Sequence, residues 1–279
     1  MKKPLKNTAE KRSFFSILIF IIPVATRNVI RHIPGVAWAQ RAFIRMLAPK
    51  QEFTHRIDAG PARGLNLLIR LPEDKAMWKG TYEAEFCKRL KAAVQPGDVC
   101  YDIGAFRGYM AGVFALAGAS KVYAFEPMPK NQCTILKVVA MNPRLPLVLV
   151  PKAVADRVGE QVLEIHRDHS MSRLGSVSSS GDGELITVQT TTVDGTAKET
   201  GKWPTLLKID VEGAEEEVLN GAKETLKKSV RAVFIEIHHA RAETECRRLL
   251  EKAGFVNRWK EYEWGHFANQ ALFERKDGD

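Results

Sequence analysis

The chain predicts a doubly wound α/β protein, mostly parallel in its sheet and with helices on both faces, and three observations carry that prediction. Apolar runs of strand length alternate with helix-length segments from residue 99 to residue 253, the rhythm of a parallel sheet whose strands need crossover helices. The strand runs are nearly continuous in apolar residues, as burial on both faces requires. A glycine-rich turn, Gly104 to Gly108, follows the first of them and leads straight into a helix, and an open α/β sheet binds its ligand beyond the carboxyl ends of its strands.

The elements follow in order. Strand-like pieces at 54–57 and 65–71, separated by Gly60, Pro61 and Gly64, read as a β-hairpin, and 82–94 reads as a helix. Strands are then expected at 99–103, 122–125, 147–150, 206–209 and 233–237, with helices at 109–119, 130–141, 215–226 and 242–253. Val218, Leu219, Ala222 and Leu226 share one helical face, and so do Cys246, Leu249, Leu250 and Ala253, with Gly254 as a stop. Residues 170–183 hold six Ser and three Gly in fourteen positions and read as a mobile loop before a strand-like stretch at 185–192. The organisation expected is an N-terminal segment, 1–50, and a domain, 51–279, in which 51–95 forms the hairpin and helix and 96–279 the core.

Charge is distributed unevenly. The 279 residues carry a net charge of +9, and residues 1–50, with ten Lys or Arg and one acid, account for all of it. The rest is balanced at 32 basic and 32 acidic side chains, which argues against a basic groove that tracks nucleic acid. Residues 14–25 form a nearly unbroken apolar run of twelve positions, shorter than the about 20 residues a membrane span needs. A cleaved signal peptide is the alternative, but no good small-x-small site follows closely. Residues 29–47 suit either an interfacial helix on anionic lipid or a helix packed on the domain. The location expected is cytoplasmic, at the inner membrane surface. Four scattered cysteines form neither a zinc pattern nor a disulfide framework.

The chemistry is concentrated at strand ends. Glu126 ends the second strand, eighteen residues after Gly108, where a carboxylate can take both hydroxyls of a ribose. A dinucleotide site has the same turn and acid; Asp102, two residues before Gly104, favours an uncharged ribose and a cationic amino-acid tail over a pyrophosphate. Farther on, Lys208, Asp210 and Glu212 alternate at another strand end and point the same way if the strand persists, and Glu236 and His238 alternate at the next.

These segments resemble the FkbM family of S-adenosylmethionine-dependent methyltransferases. The resemblance rests on Gly97-Asp98 leading into Asp102-Ile103-Gly104-Ala105 with Gly108-Tyr109, on Glu126-Pro127 with Pro129 and Asn131, and on Ala153-Val154 with Asp156. Above all it rests on Lys208 to Glu215, followed by Gly221-Ala222 and Glu236-Ile237-His238. It implies a class I, Rossmann-like sheet of seven strands with the last antiparallel, S-adenosyl-L-methionine as methyl donor, and a hydroxyl acceptor on a glycan, a lipid-linked sugar or a secondary metabolite. It also implies that Asp102, Gly104, Ala105, Gly108, Glu126, Asp156 and Asp210 serve the cofactor. The chain departs from the family pattern at Phe106, where Asn is common.

For the reaction, His238 is the expected base, since an unperturbed imidazole titrates near ~6.5, and Asp210 orients it or takes the role itself, with Glu212 beside them. The expected site holds no metal; a divalent ion on Asp210, Glu212 and His238 is the lesser alternative. Other function classes left open are a non-catalytic adenosine-ligand module and a dinucleotide-dependent oxidoreductase. Trp78, the 170–183 loop and residues 262–267 are candidate parts of an acceptor pocket. No oligomeric state is legible.

Overall fold

The structure, a computed structural model, describes residues 52–165, 172–174, 184–261 and 269–276. The expectations for residues 1–50 and for 262–267 therefore lie outside the described residues, as does most of 170–183. The fold below is the unit formed by Glu52–Ile69 and Asp74–Asp279.

It opens with β1 (Phe53–Arg56) and β2 (Asn66–Ile69), paired antiparallel as the hairpin reading expects. Helices α1 (Lys75–Lys79) and α2 (Ala84–Ala93) lead to β3 (Val99–Ile103). Next come α3 (Tyr109–Leu116), β4 (Lys121–Phe125), α4 (Pro129–Met141) and β5 (Leu147–Val150). A smaller sheet is then built from β6 (Ala153–Val154), β7 (Gly159–Ile165), β8 (Ser172–Leu174) and β9 (Glu184–Thr191). The chain returns through α5 (Val193–Thr200) to β10 (Leu206–Ile209), α6 (Glu215–Asn220), α7 (Lys223–Lys228) and β11 (Ala232–Glu236). It closes with α8 (Ala240–Lys252), β12 (Phe255–Glu261) and β13 (Gln270–Arg275).

The large sheet has seven strands in the order β12-β13-β11-β10-β3-β4-β5. β11, β10, β3, β4 and β5 run parallel, and β13, the last strand, is antiparallel to both neighbours. The chain starts in the middle at β3, moves outward to β5, and returns on the other side of β3. The strand order reverses between β3 and β10, and at such a point the flanking loops part to leave a crevice.

Strand alternation divides the core. Tyr101, Ile103, Tyr123, Phe125, Leu207, Ile209, Val233 and Ile235 pack with Val218, Leu226, Cys246 and Leu250 of the α6–α8 layer and with Phe255 of β12. The other face meets α2, whose Phe86 ring lies edge-on to Phe234 of β11 at 5.6 Å. All four cysteines are free, and three are buried.

Two expectations need correction. The single helix over 215–226 is two helices, α6 and α7, broken at Gly221. A Cβ there would lie 2.2 Å from the Ala155 carbonyl oxygen. The N-terminus of α7 is capped by Asp194, whose carboxylate accepts from Glu224 N at 2.9 Å and Thr225 N at 2.7 Å. The stretch 170–183 is not loop throughout, because Ser172–Leu174 pairs with β7. The four-stranded sheet, in the order β6-β9-β7-β8, was not expected beyond the strand at 185–192.

Candidate functional site

Three strand ends meet at the reversal point. The turn after β3 is strapped to the end of β4: Gly104 N and Ala105 N both donate to Phe125 O, at 3.1 and 2.9 Å. Phe106 N donates to Glu126 Oε2 at 2.8 Å. From the other side Asp210 N donates to Ile103 O at 3.0 Å. A Cβ on Gly104, whose φ is +80°, would lie 1.8 Å from the Asp210 carbonyl oxygen; only glycine lets β3 and β10 end this close together.

A cleft opens here. Its lining includes apolar Phe125, Met128, Val154 and Leu163 together with polar Tyr82, Glu126, Asn131, Asp210 and Glu212; strand order puts Glu126, after β4, and Asp210, after β10, on either side of the Gly104 turn. Glu126 is 4% exposed. Its Oε1 accepts from Met128 N at 2.9 Å. Burial pushes its carboxyl up to about 7, against the lowering effect of the Met128 N–H, the Asn131 side chain and the Phe106 N–H.

After β10 the residues of the 208–215 motif hold one another. Lys208 Nζ lies 3.1 Å from Asp210 Oδ2 and donates to Gly104 O at 3.1 Å. The strand stops at Ile209, so the alternation that predicted Glu212 does not persist. Glu212 instead reaches the site from a left-handed backbone, φ +54°, with its Oε2 3.4 Å from His238 Nε2. Asp210 Oδ1 is 3.7 Å from the same nitrogen. His238 Nδ1 is 2.7 Å from Glu215 Oε1, which also accepts from Gly213 N at 2.9 Å.

The ordinary imidazole value expected for His238 does not hold. Burial works to lower it, but the Glu215 hydrogen bond and the charges of Glu212, Glu215 and Asp210 outweigh that and push the ring up to about 9. The Glu236 carboxyl is pushed up to about 8, by burial first and then by Asp210 and Glu83. Donor atoms of Asp210, Glu236 and His238 lie within 4.8 Å of one another, so the trio that could hold a divalent ion contains Glu236 where the sequence pointed to Glu212.

Gly104, Glu126, Asp210 and Glu212 line the cleft. Others of the sequence set do not. Asp102 is fully buried, and its register partner is Lys208, whose Nζ is 3.5 Å from Asp102 Oδ1. Strand parity turns this side chain into the sheet's other face, so the carboxylate expected at a cationic tail is instead the counter-charge of Lys208. Ala105 and Gly108 shape the turn, with Gly108 N donating to Ala105 O at 2.7 Å. Asp156 is exposed, 4.0 Å from Arg157. His238 stands just behind Asp210 and Glu212, and Trp78 packs on His55, with ring centroids 6.0 Å apart.

Sequence reasoning missed Tyr82 and Leu163 as lining residues, and no local signal marks them. It also missed a backbone feature. Among the described residues the non-glycine positions with positive φ are Glu83, Phe106 and Glu212; two line the cleft, and the third adjoins Tyr82. Strained backbone concentrates at functional sites. Phe106, at φ +49°, holds a conformation that Asn adopts more easily.

The family model described as the Methyltransferase FkbM domain matches residues 102–257, more than half of the chain. This chain belongs to the FkbM methyltransferase family. The search among curated proteins found no match. Among solved structures it is similar to the methyltransferase FkbM of Methylobacillus flagellatus KT, at 14% identity and a TM-score of 0.47, over 66% of this chain and 45% of that one; the chain thus spans under half of that relative's length. It is also similar to an rRNA methylase of Streptococcus thermophilus, at 10% identity and a TM-score of 0.44, over 69% and 95% of the two chains. A third is a Streptococcus pneumoniae protein described as a tRNA methyltransferase and solved with S-adenosyl-L-methionine, at 13% identity, a TM-score of 0.44, and 70% and 74% coverage. These likenesses are distant, and the assignment rests on the domain match. In this FkbM-family chain, Lys208 holds Asp210, and Glu212 and Glu215 hold His238, so the motif works as one unit.

Among the described residues no helix is long and apolar enough to cross a membrane.

Proposed function

We propose that this chain transfers a methyl group from S-adenosyl-L-methionine to a hydroxyl of a glycan, a lipid-linked sugar or a secondary metabolite. The observation that carries the reading is the arrangement of groups lining the cleft: apolar residues, with Glu126 after β4 and the carboxylates of Asp210 and Glu212 after β10, on either side of the Gly104 turn. That arrangement fits the donor. Phe125, Met128, Val154 and Leu163 would flank a flat base, Glu126 would accept from the ribose hydroxyls, and the carboxylates of Asp210 and Glu212 would face the positive sulfonium and ammonium. A dinucleotide would set its pyrophosphate against the same carboxylates, which is unfavourable.

When bound, the donor supplies an activated methyl group with its own leaving group. The chain's task is then to align the acceptor oxygen with that carbon and to take one proton. Alignment contributes on the order of 7–11 kcal/mol in favourable cases. The hydroxyl proton would reach His238 Nε2 through Asp210 or Glu212, which line the cleft and lie 3.7 and 3.4 Å from that nitrogen. With its pKa near 9 the ring is protonated at neutral pH; a positive charge beside Asp210 and Glu212 would offset these carboxylates and favour loss of the Nε2 proton to solvent, which leaves that nitrogen able to accept the hydroxyl proton. Asp210, held by Lys208, and Glu212 keep that nitrogen directed toward the cleft. Residues 1–50, which carry the chain's whole excess of positive charge, would rest on an anionic membrane surface.

The test is mass spectrometry of glycolipids, polysaccharides and small metabolites from a strain lacking the gene. The reading expects one species lighter by a methyl group on oxygen; unchanged profiles in all three fractions contradict it.

A further inference from the structure

Glu215 is not among the residues that line the cleft and takes no part in the proton path above, yet it is the most buried carboxylate of the motif. It opens α6 with 0% exposure. One oxygen serves two donors, Gly213 N at 2.9 Å and His238 Nδ1 at 2.7 Å. The other oxygen, Oε2, has no hydrogen-bond partner among the described residues. A buried carboxylate with half its acceptor capacity unused interacts strongly with the cationic partner it does have, because little else offsets its desolvation.

We infer that Glu215 is the positioning residue for His238, fixing the ring with its proton on Nδ1 and its reactive Nε2 between Asp210 and Glu212. The inference rests on His238 being the proton acceptor proposed above. An imidazole has two nitrogens, and the hydrogen bond at one decides what the other can do. Both nitrogens face carboxylates, but Glu215 Oε1 is within hydrogen-bond distance of Nδ1, at 2.7 Å, whereas Glu212 and Asp210 stand 3.4 and 3.7 Å from Nε2, so the neutral ring keeps its hydrogen on Nδ1. Nε2 then carries the lone pair, on the side where the carboxylates reach the cleft. The Gly213 contact adds a second function. It ties the strained Glu212–Gly213 turn after β10 to His238, two residues beyond β11, so the same carboxylate bridges the turn and the ring.

The charged groups facing the ring are Asp210 and Glu212 from the turn after β10, Glu215 from α6, and Glu236 from β11. Lys208 is the cation beside Asp210. A purely structural alternative exists: Glu215 is one of three acids in the first turn of α6, where negative charge favours a helix N-terminus. That role leaves the tautomer of His238 untouched, which separates the two.

The test is nitrogen-15 NMR of the histidine rings in the full-length protein, titrated from pH 5 to about 10, with His238 assigned by its loss in His238→Gln. The wild-type ring is expected to be in the Nδ1–H form once neutral. In Glu215→Gln the midpoint should fall by roughly one pH unit or more. The Nε2–H form should also gain population, because the amide NH₂ can donate to Nδ1 while its oxygen serves Gly213. Glu215→Asp keeps the charge and should retain most of the raised midpoint. A wild-type ring in the Nε2–H form overturns the inference, as does a Glu215→Gln protein with unchanged midpoint and tautomer. If Glu215→Gln does not fold, the wild-type tautomer and the Glu215→Asp titration decide. The ring is observed directly, so the result stands whether or not the wild type binds S-adenosyl-L-methionine, which calorimetry settles separately.

Discussion

Replacing Glu126 probes the reading at its centre, because this carboxylate is asked to do two things at once. Its two oxygens already accept from Phe106 N at 2.8 Å and Met128 N at 2.9 Å, and the proposed ribose hydroxyls would add to them. In Glu126→Ala both N–H groups lose their partner. Each buried orphan costs about 1–3 kcal/mol, so stability should fall by roughly 2–6 kcal/mol in total. Binding falls separately. Losing hydrogen bonds to a charged acceptor removes about 1.5–3 kcal/mol, which weakens the donor's Kd roughly 10- to 150-fold. Glu126→Gln keeps one acceptor oxygen but turns an NH₂ toward one of the two N–H groups, so it should lie between wild type and Glu126→Ala on both axes. Calorimetry with S-adenosyl-L-methionine near pH 8 is the assay, because the carboxyl, at about 7, is then mostly ionised. A folded Glu126→Ala protein with wild-type Kd would refute the assignment.

Four further outcomes are expected. Lys208→Met leaves Asp102 buried without its counter-charge and should lower stability by about 3–5 kcal/mol; a denaturant midpoint equal to wild type would show that the pair is not needed. Gly104→Ala drives a Cβ into the Asp210 carbonyl at positive φ and should cost about 2 kcal/mol or more, with loss of donor binding; calorimetry checks the second part and thermal unfolding the first. His238 gains its carboxylate partners on folding, and its pKa rises from the ordinary 6.5 to about 9. Its stability contribution is therefore complete below about pH 6.5 and is lost as pH rises through about 9; His238→Gln should flatten the fall in Tm between those values, and an unaltered slope would contradict the shift. Finally, full-length protein should bind anionic vesicles with partial reversal by high salt, since part of the attraction is screened, and deletion of residues 1–50 should abolish it; equal binding by the truncated protein would rule that out.

Much of this was legible because parallel strands buried on both faces show as apolar runs. The runs at 99–103, 147–150 and 206–209 match β3, β5 and β10 at both ends. Strand ends of one parallel sheet open at the same edge, so Gly104, Glu126, Asp210 and His238 could be brought together without knowing any contact. What failed depended on distant parts of the chain. The break at Gly221 lies within an unbroken helical period, and its causes, the Ala155 carbonyl and the Asp194 cap, belong to other elements. β7 mixes polar and apolar residues and leaves Val162 exposed at 44%, so it gives no clean alternation. Asp102 was placed by its spacing from Gly104, whereas the parity of β3 decides which face it takes. Glu215 read as a helix start, and its hydrogen bond to His238 is invisible until β10 and β11 lie side by side.

The central claim is that the cleft between Glu126 and Asp210 is built for a sulfonium donor. Titration calorimetry of the full-length protein with S-adenosyl-L-methionine and, in parallel, with NAD tests it most directly. The account predicts saturable binding of S-adenosyl-L-methionine and none of NAD at the same concentrations. Binding of NAD without S-adenosyl-L-methionine, or of neither, would contradict it.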